Sequence, residues 1–453
     1  MENDNLFESM KPARALAKMA LPTIGSQLII LVYNLADIWF IGRTNDPYMI
    51  GASSLAVTVY LAAAALANIF GVGGGTLMVR LIGEKKTDDA RRAASYTVTA
   101  SAIAALVFSL VVLAFTNPLL RLLGAGENTL AYGRQYLLTT TVIGGVPTVL
   151  SMSMPQLLRN VGYSKSAGLG VAFGSLLNIA LDPLFMFVIL PKGNEVLGAG
   201  IATALANFIS LGFFVIAFRR VRDKSVLTIP RRLEKLGGEH KKSFYSVGIP
   251  AAVAIFLFDL VTIVINRLLV DHGDIELAAM GIVLKLERIP INVGLGVCLG
   301  MVPLIGYNFG SRNFKRMNEF SSLARIAVVG FSAICAVLFW VFAKPIVGAF
   351  IDDEETIRLG AEFLRGRCFA LPFMMIGYHV VNFMNAVNKG KISFLLAIIR
   401  HIVLIIPIML ILNKIWGLNG LVWSQIVSDS ANSVIACVFM HKVGRSMSGS
   451  NEG

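Results

Sequence analysis

Two carboxylates set in apolar sequence are the groups most able to do chemistry here. Asp37 closes the run LAKMALPTIGSQLIILVYNLADIWFI (Leu16–Ile41), and Asp182 sits in SLLNIALDPLFMF, four residues after Asn178. An ionised Asp at bilayer depth is unfavourable by about 2.5–3.5 kcal/mol, so such a group is protonated, paired or bound to a cation. Tyr33 and Asn34 precede Asp37 by four and three residues and share its helical face, as Asn178 shares that of Asp182. Two neighbouring carboxylates repel as anions, which favours a proton on one of them. This pattern points to a cation or proton site. Two plainer readings stand beside it: Asp37 solvated at the membrane surface, and Asp182 capping a kinked helix. Thr203, in GAGIATALAN, offers a hydroxyl either to the site or to its own helix backbone. Tyr136 would face the same cavity. Pro22 lacks a backbone donor and should bend the first helix, a hinge beside a protonatable group. Pro183 biases Asp182 away from regular helix.

The elements that must position these groups are membrane helices. The 453 residues are 56% hydrophobic and only 15% charged, with mean hydropathy +0.72, against about 25% charged in soluble domains. Apolar runs fall at Leu16–Ile41, Gly51–Val79, Ala93–Phe115, Leu130–Leu158, Ala167–Leu190 and Val196–Phe218. Six more follow at Phe244–Val270, Ile275–Ile305, Ser322–Ala343, Gly360–Val387, Ile392–Leu412 and Leu418–Met440. The expected fold is all-α and integral to the membrane: twelve transmembrane helices in two pseudo-symmetric six-helix lobes. The expected organisation is an N-lobe over 1–218, a linker over 219–243 and a C-lobe over 244–453. GVGGGTLMVRLIG (Gly71–Gly83) and GLGVCLGMVPLIG (Gly294–Gly306) recur 223 residues apart. With six spans per half, the halves insert the same way up.

Charge placement supports this topology. Of 40 Lys and Arg, 27 fall on one side, including Arg80, Lys85, Arg91 and Arg92 after the second run. The loop Arg219–Lys242, with Arg231 and Arg232, lies on that side too. The positive-inside rule puts both termini in the cytoplasm. The net charge of +13 is thus a topology signal with some attraction to membrane lipids, and nucleic acid is not an expected partner. Cys298, Cys335, Cys368 and Cys437 form no metal or CxxC spacing and are expected to be small buried hydrophobes. No metal centre or cofactor is expected, and no His, Cys or carboxylate constellation suggests an enzyme. Gly71, Gly73, Gly74 and Gly75 lie inside an apolar helix, where they permit close packing rather than cradle phosphate. In the second half, Asp259, nine residues after Pro250, is kept as a cavity candidate. For most of Lys285, Glu287, Arg288, Arg400 and Asp429, interhelical ion pairing is the expected role.

Taken together, the pattern resembles the multidrug and toxic compound extrusion (MATE) family over about Leu16–Met440. The resemblance rests on the two six-helix halves, Pro22 with Tyr33 and Asp37, Asn178 with Asp182, and the Gly-rich ends of the second and eighth helices. It is nearest the branch containing the MepA-like and DNA-damage-inducible exporters. It implies that Asp37, Asn178, Asp182 and Thr203 form a proton- or sodium-responsive site, with Na+ suited to Asp37, Asn178 and Asp182. It also implies that bending at Pro22 collapses the N-lobe cavity. Asp259 matches the first carboxylate of the NorM-like branch, but the second aligns near Tyr378, so a complete C-lobe cation site is not expected. The implied function is a multi-pass transporter of a bacterial-type plasma (inner) membrane. It would exchange amphipathic or cationic drugs for H+ or Na+ and confer antibiotic resistance as a monomer. The alternative is a flippase for a lipid-linked saccharide, which should carry a strongly cationic cavity.

Overall fold

The computed structural model describes residues 4–230 and 234–448; Arg231 and Arg232 lie outside the described residues. The first six long helices are α1 (Pro12–Gly42), α2 (Pro47–Gly83), α3 (Thr87–Leu122), α4 (Glu127–Ile143 and, after a 53° bend, Gly145–Asn160), α5 (Ser164–Ile189) and α6 (Glu195–Val221). After the basic connection come α7 (Gly238–Val270), α8 (Asp274–Gly310), α9 (Phe314–Val341), α10 (Glu354–Cys368 and, after 47°, Ala370–Ala386), α11 (Gly390–Trp416) and α12 (Leu418–Ser448). Among the described residues, nine helices are long and apolar enough to cross a bilayer, and the bent pairs α4 and α10 bring the number to eleven. The twelfth, α12, has 31 residues, about 46 Å at 1.5 Å per residue. Its apolar content is diluted by Ser424, Gln425, Ser428, Asp429, Asn432 and Ser433, all of which are buried.

Side chains are distributed as a lipid solvent demands. On α3, Ile103, Leu106, Val107, Leu110 and Val111 face outward, while Thr97, Ser101, Ala105, Ser109 and Thr116 are buried. Water does not drive helices together in a bilayer, so small and hydroxyl residues at the interfaces supply close packing and hydrogen bonds. Some helices run beyond their apolar runs, as α3 does by six residues at its start and seven at its end. Polar residues mark the helix boundaries: Asp46 caps α2 by accepting from the Tyr48 N–H at 2.8 Å, with Pro47 in the first turn.

The internal repeat is written into the backbone. Left-handed residues follow equivalent helices in the two halves: Asn45 and Gly273, Lys85 and Arg312, Gly162 and Asn388, Gly193 and Gly417. A non-glycine residue at positive φ is uncommon. Positive φ recurs at four matching connections, most closely at Lys85 and Arg312, with φ of 60° and 57°.

The chain forms two compact units, but they do not divide in the linker 219–243. One comprises Met1–Ser9 with Gly25–Ala252, the other Met10–Ile24 with Val253–Gly453. The first part of α1 therefore belongs to the second unit, and the first part of α7 to the first. Glycines make room for both. A Cβ on Gly248 of α7 would lie 2.1 Å from the Ile69 carbonyl oxygen, and one on Gly73 would lie 2.6 Å from that of Phe244. In the second unit a Cβ on Gly296 or Gly300 would come 2.7 Å from the Cα of Ile24 or Ala20 in α1. Hydrogen bonds seal the α7 contact, Tyr96 to Tyr245 at 2.8 Å and Arg80 to Ser243 at 3.0 Å. Because the obstacle at Gly248 is backbone, no rotamer change relieves it. Gly248→Ala is expected to lower the melting temperature of purified protein clearly, whereas Gly212→Ala, with nothing within 4 Å, is expected to leave it unchanged.

Candidate functional site

Asn178 and Asp182 lie one turn apart on α5, and both are buried, Asp182 at 0% exposure. The helix stays regular through Pro183 and widens into a π-turn only at Leu184–Ile189. The irregularity expected at Asp182 is thus displaced toward the helix end. On α6, small residues bring the backbone in close. A Cβ on Gly198 would meet the Phe185 carbonyl at 2.7 Å, and one on Gly200 the Thr139 hydroxyl at 2.0 Å. This approach buries Thr203 against α5.

The Asn178 amide links the two helices. Its nitrogen faces the carboxylate, because the opposite orientation would set two acceptors against each other. Nδ2 then donates to Asp182 Oδ2 at 2.9 Å, and Oδ1 accepts from the Thr203 N–H at 3.2 Å and hydroxyl at 3.3 Å. Tyr136, buried on α4, lies close enough to Thr203 to interact with its side chain. Thr203 thus serves the cluster rather than only its own helix.

Asp37 enters from α1. It is close enough to Asp182 for the two to interact electrostatically, and both lie in the same field as Tyr33 and Tyr136. Neither carboxylate has an ion-pair partner among the described residues. Asp37 Oδ1 and Asp182 Oδ1 are both buried without a hydrogen-bond partner. The arrangement is a polar pocket inside one unit with two acceptor oxygens unspent, able to take up a proton or a small or organic cation.

Of the sequence-derived residues, Tyr33, Asp37, Tyr136, Asn178, Asp182 and Thr203 come together in the first unit. Asn34 is exposed on α1 and makes none of the cluster's hydrogen bonds. Asp259 is half-buried in the second unit, facing the charge of Arg288. Pro22 lies within α1, which is one helix from Pro12 to Gly42; the Thr23 hydroxyl donates to the Met19 carbonyl at 2.9 Å beside the missing proline N–H. The residue missed from sequence is Tyr60 on α2, which interacts with Asp37, Tyr33 and Tyr136. The only sign of it was a lone phenol in the run AVTVYLAAAALAN.

The second unit contains a different polar centre. Arg367 of α10 grips Glu287 of α8 with two bonds, 2.8 and 2.9 Å, and reaches Gln425 of α12 at 3.4 Å. Gln425 donates to Asp429, which also accepts from Arg400 of α11 at 2.8 Å. The Arg400 guanidinium stacks over the Tyr378 ring at 4.9 Å. Glu287, Arg400 and Asp429 are ion-paired as their sequence suggested, with Arg367 as the unforeseen partner, while Lys285 and Arg288 are exposed. Of the cysteines, Cys298 and Cys368 are buried but Cys437 is exposed and Cys335 half-buried. The expectation of four buried thiols is corrected, since an outward helix face in lipid accepts a thiol as readily as the core does.

Fold and pocket together define a multi-pass helical membrane protein with a buried acidic group in one half. The chain belongs to the MatE family, whose model matches residues 22–184 and 250–411. It is 28% identical to the multidrug export protein MepA of Staphylococcus aureus strain MRSA252 over 435 residues, 96% of this chain and 95% of that protein. Its fold is similar to a MATE crystallised in complex with MaD5, with TM-score 0.91, 21% identity and 99% of each chain covered. It is also similar to an outward-facing multidrug resistance MATE family transporter, with TM-score 0.90, 20% identity and 99% of each chain covered.

Proposed function

We propose that this protein is a multidrug efflux transporter, exporting amphipathic and cationic organic compounds in exchange for protons or sodium ions. The observation that carries this reading is a pair of carboxylates, each with a buried oxygen that lacks a hydrogen-bond partner and neither with an ion-pair partner among the described residues. An anionic pair in low dielectric calls for a positive partner, and here it must come from outside the chain. A coupling ion and a cationic compound then compete for one charge requirement, which is the logic of exchange. Asp37, Asn178, Asp182 and Thr203 bind the ion, with Tyr33, Asn34 and Tyr136 on the compound's side of the cavity. Asp259 serves as a second contact for cationic compounds. The chain is not an enzyme and needs no cofactor. It resides in a bacterial inner membrane as a monomer in contact with lipid, both termini in the cytoplasm. A potential of 100 mV supplies about 2.3 kcal/mol per charge moved, enough to sustain a steep outward gradient.

Everted membrane vesicles given a fluorescent cationic dye on the outside, so that export appears as uptake into the lumen, test this reading, with a pH gradient and a sodium gradient imposed separately. Dye movement driven by at least one gradient is expected. Movement indifferent to both would overturn it. The flippase reading draws no comparable support, since Arg367 and Arg400 are each matched by a carboxylate and leave no excess positive charge to hold a diphosphate.

Pro22 is the proposed hinge. Pro22→Ala restores a backbone donor and removes a helix breaker. Unchanged or raised thermal stability is expected, with dye binding retained and export strongly reduced. Full export with dye binding intact would remove the hinge assignment.

A further inference from the structure

A second feature of the first unit lies apart from the acidic pocket, at the end of the bundle where α3 begins and α6 ends. A groove of about 670 Å³ there is lined by Arg91, Arg92, Arg219 and Arg222, with Asp88 and Glu234 as its acidic members. The chain leaving α6 builds one wall. Ser225, Val226 and Leu227 are buried, the Ser225 hydroxyl donates to the Val221 carbonyl at 2.8 Å, and Thr228 and Ser95 share a hydrogen bond at 3.3 Å. The wall is therefore fixed to the bundle.

Arg92 lies 3.6 Å from Asp89, whereas Arg91, Arg219 and Arg222 have no ion-pair partner among the described residues. The fold gathers more positive charge than the groove's own carboxylates neutralise. The 36-residue helix α3 also starts here, with no side-chain cap on its first turn, so its N-terminal N–H groups add to the positive field. Several planar guanidinium forks around one concavity match an anion with several acceptor oxygens, above all a phosphate group.

We propose that this groove is a binding site for a phosphate-bearing anion, held by Arg91, Arg219 and Arg222. The chemistry is shared by a phospholipid headgroup and a soluble polyphosphate. The groove also differs from a translocation site, because its arginines are exposed and lie at a helix end.

The test has two arms. In the first, protein in neutral phosphatidylcholine nanodiscs is titrated with inorganic pyrophosphate and followed by calorimetry. In the second, retention of phosphatidylglycerol against phosphatidylcholine is measured by native mass spectrometry. The groove variant is Arg219→Gln with Arg222→Gln. The control, Arg312→Gln with Lys315→Gln, removes the same charge from another basic turn. Binding in at least one arm is expected, weakened roughly tenfold or more in the groove variant, as loss of charge-assisted hydrogen bonds implies, and unchanged in the control. A signal confined to the first arm identifies a soluble anion, and one confined to the second a lipid. No binding in either arm, or equal weakening in groove variant and control, overturns the proposal. Should the double variant fail to fold, Arg91→Gln alone is read by the same criteria.

Discussion

Asp182→Asn is expected to reduce gradient-driven dye export to the background of empty vesicles. The substitution keeps the shape of the side chain and a hydrogen bond to Asn178, so the fold should persist. What it removes is the negative charge. Between opposite charges about 4 Å apart at an effective dielectric near 20, the attraction is about 4 kcal/mol. Losing it corresponds to roughly a thousandfold in occupancy by a cation, well beyond what transport can absorb. Asp37→Asn should act in the same direction, since the two carboxylates share one field. Asp182→Glu should retain part of the activity, because it keeps the charge and misplaces it. The decisive measurement is the initial rate of dye uptake into everted vesicles, which is export in the cell's sense, run beside a melting curve that verifies folding. Wild-type efflux in Asp182→Asn would remove the pocket from the coupling mechanism.

The second large effect concerns stability. Glu287 and Arg367 are almost wholly buried and joined by two short bonds. Removing one partner leaves an uncompensated charge in low dielectric, a loss of about 3–5 kcal/mol. Arg367→Met is therefore expected to lower the melting temperature of the purified protein strongly, and Glu287→Gln to do so somewhat less. The double replacement Glu287→Leu with Arg367→Met should recover much of the loss, because an apolar pair of similar volume often matches a buried ion pair. If the double variant were as unstable as the sum of the singles, the two side chains would be acting independently, contrary to their geometry.

The two lobes and most of the acidic pocket were legible because charge in an apolar run stands out. Asp37, Asn178, Asp182 and Thr203 are polar intrusions into otherwise hydrophobic helices, and three of the five helices around the pocket were marked this way. Tyr60 was not, since a phenol in an apolar helix is equally at home in a core or facing lipid. Arg367 was hidden for a different reason. It lies inside the expected tenth run, Gly360–Val387, where nothing local pairs it, and its partner lies 80 residues away. The bends in α4 and α10 escaped notice because each falls at a break of one residue, Gly144 and Phe369, within continuous hydrophobic sequence. The exchange of helix segments was invisible because it follows from which glycine faces which backbone. Spacing along the chain does not report that.

This exchange has a consequence for biogenesis. The opening stretch of α1 finds its seat against Gly296 and Gly300, which the ribosome delivers roughly 280 residues later. At about 5–20 residues per second, the segment around Ala20 waits on the order of a quarter of a minute to a minute before its berth is translated. Until then a narrow strip of small side chains must be shielded by lipid or by the insertion machinery. Slowed elongation past the middle of the message should thus prolong the window in which the nascent chain is vulnerable to membrane proteases.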